Sequence, residues 1–262
     1  MKEFIEAELH EEDKAGMLAL HDPDPSGPAD HKIVRVYQNN AYSHGLFLTC
    51  SRMNHSCAPR VEMSSDDGEE TEVRVIGDIK AGQEITVSYL RTSSLLTKQE
   101  RTAQLQHWGF VCTCRLCRMG PQEQQLNDRQ RLKVKRNTKQ IRSFFSLLSE
   151  EEKWQGQEKD MCLLLLRVFV KAKESLTILE TSLAGEAEPA LVSLLLYLAA
   201  LAEVASSPRL LTSLPGEETT EVWMERARGR ADSLGSMFLA DCRAREEEIL
   251  VIKEALRVQE HV

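Results

Sequence analysis

The sequence predicts an α+β protein in which a strand-rich N-terminal part gives way to an all-helical C-terminal part. Three observations carry this expectation. Side chains alternate, or nearly so, along Arg60-Val61-Glu62-Met63 and Thr71-Glu72-Val73-Arg74-Val75-Ile76, the period of two that marks strands. Beyond Gln122 the apolar period moves to near 3.6, that of helices facing a core. Between the two parts stands Cys112-x-Cys114-x-x-Cys117, a spacing that lets thiolates meet on one zinc ion.

Taken in order, residues Met1 to Leu20 have a short helical pattern. The three prolines of His21-Asp22-Pro23-Asp24-Pro25-Ser26-Gly27-Pro28 then break it. Lys32 to Tyr42 fits a helix or an extended segment equally well. Strands and turns are expected to dominate Gly45–Leu90: two strands flank the acidic tip Ser64-Ser65-Asp66-Asp67-Gly68-Glu69-Glu70, Asp78–Gln83 makes a second turn, and Glu84–Tyr89 a further strand. The acidic tip reads as a solvated loop. Lys98–Trp108 has helical spacing, and candidate helices follow over Asn127–Leu148, Lys159–Leu183, Pro189–Ser206 and Thr219–Gln259. Leu191, Leu194, Leu195, Leu198 and Leu201 form a broad apolar face suited to antiparallel helical hairpins, although no clean internal repeat is visible. His107, Trp154, Tyr197 and Trp223 are assigned to packing or surface.

Composition narrows the class. An apolar fraction of 42% with 28% charged residues is that of a globular chain, long enough at 262 residues for one large domain or two modest ones. The net charge of −8 argues against direct nucleic-acid binding and suits a basic peptide partner. No apolar run reaches the roughly eighteen residues that span a bilayer, and Arg167 interrupts Met161–Val170. The N-terminus carries Glu3 and Glu6 where a secretory signal would be apolar, so a cytoplasmic or nuclear location is expected. Seven cysteines in a reducing compartment read as metal ligands and buried thiols rather than disulfides. Cys50, Cys162 and Cys242 receive no role. Cys57 is the natural fourth ligand for the triplet, since a structural tetrahedral site needs four.

Asn54-His55-Ser56-Cys57, Glu84-Ile85-Thr86-Val87-Ser88-Tyr89 and Phe110-x-Cys112-x-Cys114-x-x-Cys117 occur in one order with short gaps. Together they resemble the C-terminal half of a SET domain with its post-SET zinc element, as in proteins of the SET-and-MYND type. That resemblance spans about Asn40 to Cys117 and, more loosely, the helical tail. It implies a partial SET domain over 1–97, a post-SET element over 98–120 and a tetratricopeptide-like helical domain over 121–262. The implied activity is S-adenosyl-L-methionine-dependent methylation of a lysine on a protein substrate such as a histone tail. Asn40, Asn54, His55, Tyr89 and Phe110 match the residues around the cofactor, with Tyr89 the catalytic tyrosine at the mouth of the lysine channel. Cys57, Cys112, Cys114 and Cys117 match the ligands of a structural zinc. A partner protein on the helical tail, and no membrane, complete the expectation.

Methyl transfer to an amine is an in-line displacement that needs alignment more than a strong base, so Tyr89 is expected to orient the acceptor. SET domains also use a G-x-G turn, where glycine lets backbone approach the cofactor closely. This sequence has no G-x-G; Gly16, Gly27 and Gly45 are the only glycines before Asn54. Two expectations follow. The chain is either a protein-lysine methyltransferase in a shortened form, which keeps the catalytic tyrosine but not the whole cofactor cradle, or a non-catalytic, zinc-containing interaction module.

Overall fold

The computed structural model describes residues 10–42, 45–66, 70–90, 95–150, 153–183, 188–206, 219–234 and 247. Eleven labelled elements follow in chain order: helices α1 (Glu11–Leu18) and α2 (Lys32–Asn40), strands β1 (Asn54–His55), β2 (Val61–Asp66), β3 (Glu70–Val75) and β4 (Thr86–Val87), then helices α3 (Lys98–Leu105), α4 (Pro121–Leu148), α5 (Glu158–Thr181), α6 (Glu188–Ala205) and α7 (Thr220–Leu234).

Of residues 32–42, open in the sequence, Lys32–Asn40 form helix α2, while Tyr42 makes an isolated bridge to Gly45. Ile33 and Val36 lie one turn apart and bury against Met17 and Leu20 after α1. The proline-rich link is pinned by Arg35, whose guanidinium grips Asp22 at 3.0 and 3.1 Å and the carbonyl of Pro28 at 2.7 Å. That grip holds the half-buried Asp22 carboxyl below the usual range.

Strands are fewer between Gly45 and Leu90 than alternation predicts. The expected hairpin is present as the antiparallel pair β2–β3, in register from Val61 opposite Val75 to Asp66 opposite Glu70, so Ser64, Ser65, Asp66 and Glu70, expected in the tip, belong to the strands. Its tip, 67–69, lies outside the described residues. Glu84–Tyr89, expected as a full strand, contributes only Thr86–Val87, which pairs in parallel with Asn54–His55. The pairing closes with the Ser56 N–H donating to the Val87 carbonyl at 2.9 Å. At the second expected turn, Gly82 takes φ +81° and Gln83 N–H closes on the Lys80 carbonyl at 2.9 Å, a conformation glycine adopts without strain.

Helix α3 opens on a capping box in which Thr97 accepts the Glu100 N–H while Glu100 accepts the Thr97 N–H. The first candidate long helix begins earlier than Asn127, at Pro121, because proline suits the first helical position and needs no N–H partner there. The next two expected spans agree with α5 and α6 to within one or two residues at each end. Thr219–Gln259 is helical over Thr220–Leu234, and its continuation falls outside the described residues apart from 247.

Helices α4 to α7 pack successively on one another around a single apolar core. Leu191, Leu194, Leu195, Leu198 and Leu201 are all buried in it, as are Trp154, Tyr197 and Trp223. Asn137, also buried, fixes the register of α4 on α5 by donating to Ser175 Oγ at 3.0 Å. The hairpin meets this region where Arg74 donates to the Asp232 carbonyl of α7 at 2.7 Å.

Candidate functional site

The Asn-His segment and the strand leading to Tyr89 are distant in sequence, and the short β1–β4 pairing brings them side by side. His55 then ties them. Its Nδ1 accepts the Tyr89 N–H at 3.1 Å, which leaves the proton on Nε2, 3.2 Å from Cys57 Sγ. Asn54 is exposed and donates to the Glu84 carboxylate at 2.6 Å. The Tyr89 hydroxyl donates to the Met53 carbonyl at 2.8 Å.

Rings gather around Tyr89. Its centroid lies 5.3 Å from His55, 5.4 Å from Trp108 and 6.3 Å, edge-on, from Phe110. Phe110 also approaches His55 at 5.9 Å and keeps 36% of its surface exposed. Gly109, at φ +70°, ends the short turn through Trp108 and lets the chain swing Phe110 toward the cleft. Burial, followed by the Glu84 charge, pushes the Tyr89 hydroxyl above its ordinary range, so it stays protonated near neutrality.

Cys57, Cys112, Cys114 and Cys117 converge with all four sulfurs within 4.8 Å of one another. Cys57 Sγ lies 3.8 Å from Cys112 and 3.6 Å from Cys117. A tetrahedron with zinc–sulfur bonds of about 2.3 Å has edges of about 3.8 Å, so the cluster fits one zinc with no open position for water. Hydrogen bonding with the other three cysteines pushes the Cys57 thiol up, while the bonds of Cys112 to Cys114 and Cys117 pull Cys112 down. Leu116 is fully buried beneath the loop, alongside Leu90, Leu96 and Leu105.

One open cleft of about 1890 Å³ is lined by Asn40, Asn54, His55, Tyr89 and Phe110 together. All five sequence-derived cofactor candidates therefore line one cleft, as do Cys112 and Cys114. Asn40 is the least free of them, because its amide already donates to the carbonyls of His21 and Val36, both at 2.7 Å. Sequence reasoning missed three contributors. Trp108 carries no site signal in the sequence, yet its ring meets that of Tyr89. Glu84 opens the strand motif, but only the fold shows it holding Asn54. Glu62 lines the cleft from β2, and burial raises its carboxyl to about 7.

Residues 7–90 match the SET domain family. The chain is 35% identical over 89 residues to the histone-lysine N-methyltransferase SET5 of Meyerozyma guilliermondii, covering 33% of this chain and 18% of that protein. It is 32% identical over 124 residues to histone-lysine N-methyltransferase set5 of Schizosaccharomyces pombe, 43% of this chain and 37% of that one. A SET and MYND domain-containing protein of Dictyostelium discoideum is 35% identical over 94 residues, 36% of this chain and 24% of that protein. The chain thus spans between 18% and 37% of the length of the first curated relatives it matches. The match begins at residue 7, well before Asn40, so the N-terminal segment belongs to the SET similarity as well. Residues 7–90 thus match a SET domain, and the chain is similar over that part to proteins named histone-lysine N-methyltransferases and to a SET and MYND domain-containing protein.

Proposed function

We propose that the chain is part of an S-adenosylmethionine-dependent protein-lysine N-methyltransferase acting on a histone or another protein. The observation that carries this reading is the meeting of Tyr89, the Asn54–His55 pair and Phe110 on one cleft beside a four-thiolate cluster. Bound in that cleft, S-adenosylmethionine would supply a sulfonium-borne methyl group for a neutral lysine amine.

Each residue then has a task. Tyr89 gives its own proton to the Met53 carbonyl, which leaves its oxygen lone pairs to accept from and aim the substrate amine. The high-lying phenol acts as an orienter and not as a base. The faces of Phe110 and Tyr89 suit a sulfonium cation through their ring quadrupoles. Asn54, His55 and Asn40 would hold the rest of the cofactor. Cys57, Cys112, Cys114 and Cys117 would hold a structural zinc that pins Phe110 against the Asn-His segment.

The domain reading follows: a partial SET domain over 1–97, a post-SET element over 98–120 and a helical domain over 121–262 built from tetratricopeptide-like hairpins, in a cytoplasmic or nuclear protein. The missing G-x-G turn favours a second reading for the isolated chain, a zinc-containing interaction module with Tyr89 idle. Losing that turn removes several backbone hydrogen bonds of about 0.5–1.5 kcal/mol each, enough to move cofactor binding from about micromolar to about millimolar. Titration calorimetry with S-adenosylmethionine tests both. Feeble binding here, with methylation of a lysine peptide by a longer form carrying a G-x-G strand, is the expected result. No binding and no methyl transfer by either form would overturn the enzyme reading.

A further inference from the structure

Acidic residues outnumber basic ones in this chain, 41 to 33, but the excess is uneven. Helix α4 reverses it, with three Lys and four Arg against only Glu123 and Asp128. Some of these cations are spent. Arg131 is buried, while Lys133 and Lys135 are paired with Glu174 and Glu100. Arg129, Arg136 and Lys139 are exposed, and among the described residues none of their three side chains makes a hydrogen bond or ion pair.

Two leucines share their face of the helix. Leu126 is 57% and Leu132 43% exposed, although the opposite face of α4 has its own core to fill. Leu126, Arg129, Leu132, Arg136 and Lys139 follow one another at steps of three or four residues, so they form one continuous stripe. At 1.5 Å per residue it runs about 20 Å along the helix. Leucine and cation alternate on it, and no carboxylate interrupts.

We propose that this outer face of α4 docks an acidic, leucine-bearing segment of a partner protein. The cations complement its carboxylates, and Leu126 and Leu132 seat its apolar side chains. A nucleic-acid backbone would satisfy the cations but offer nothing to the leucines, which is why a protein partner fits better. The surface lies outside the cleft, so it stands independently of the methyltransferase reading.

The test uses the whole chain and a fluorescent acidic peptide that repeats Glu and Leu at helical spacing, followed by anisotropy at low and high salt. Arg129→Glu with Arg136→Glu and Lys139→Glu should weaken binding about tenfold or more and remove most of its salt dependence. Leu126→Ser with Leu132→Ser should weaken it comparably while leaving the salt dependence in place. Circular dichroism should be unchanged for both, because all five side chains are exposed. Absence of peptide binding by the wild type overturns the proposal, as does binding that either variant leaves intact. A 20-base-pair DNA duplex that binds more tightly than the peptide, with the leucine variant unaffected, replaces it with phosphate-backbone binding.

Discussion

Replacing Cys57 by serine tests the metal cluster where it is most exposed to failure. Cys57 is 1% exposed and is the only ligand from the SET segment; the other three come from one short loop 55 to 60 residues further on. A zinc ion there closes a chain loop of about 55 residues, and a cross-link of that size is worth about 4 kcal/mol in loop-closure entropy. For a domain of this length that corresponds to a fall in melting temperature on the order of 10 °C. The serine variant should hold zinc far more weakly, and residues 110–118, which have no regular secondary structure of their own, should lose amide protection. Helices α4 to α7 should keep theirs, since their core does not involve the cluster. Metal analysis with a chromophoric chelator, followed by hydrogen-exchange mass spectrometry, reads both effects. Wild-type protein should carry about one zinc per chain. Native protein free of zinc with all four thiols rapidly alkylated would refute the reasoning, as would tight, stoichiometric zinc in the serine variant.

Three further outcomes are expected. Tyr89→Phe, in a longer active form, should cut turnover sharply while leaving cofactor affinity nearly unchanged; equal losses in both would mean the hydroxyl serves the fold through Met53 instead. Burial raises the Glu62 carboxyl from 4.5 to about 7, so the folded chain retains a proton that the unfolded chain releases, and stability declines as pH rises through that window. Glu62→Gln should flatten this decline and gain about 3 kcal/mol or less above pH 7, with no gain below pH 4; parallel pH profiles for the two proteins by urea titration would contradict it. Trp223 is fully buried in the helical core, with Lys173 and Arg226 4.6 and 4.8 Å from its ring, so Trp223→Ala should destabilise by about 3–5 kcal/mol in denaturant melts, and a loss below about 1 kcal/mol would show that the site collapses to fill the void.

The helical half was legible because its signal is local. Leucine periodicity and breakers such as Gly185 and Pro208 mark the helices, and among the described residues the differences fall at termini such as Pro121, where proline starts a helix that periodicity alone begins later. The cluster and cleft were legible for a different reason: their residue types are rare enough in that order to point at one chemistry. What the sequence hid is pairing between distant segments. Nothing in Glu84–Tyr89 says that only Thr86 and Val87 will bond to Asn54 and His55. The tautomer of His55, the grip of Glu84 on Asn54 and the approach of Trp108 to Tyr89 all depend on that pairing. Burial of Glu62 was hidden likewise, since alternation shows which side of a strand a residue occupies but not what covers that side.

The two-rung parallel pairing of Asn54–His55 with Thr86–Val87 also orders events in time. Contacts between successive helices form by closing short connections, which proceeds quickly. The cleft instead waits for segments some thirty residues apart to find each other, with only two residue pairs to reward the search before the cysteines engage. A full-length chain refolding from denaturant should therefore pass through a state with helices packed and the cleft unassembled, in which Tyr89 and Phe110 are open to solvent. Zinc supply during refolding, more than the hydrophobic core, would then govern how long that vulnerable state lasts.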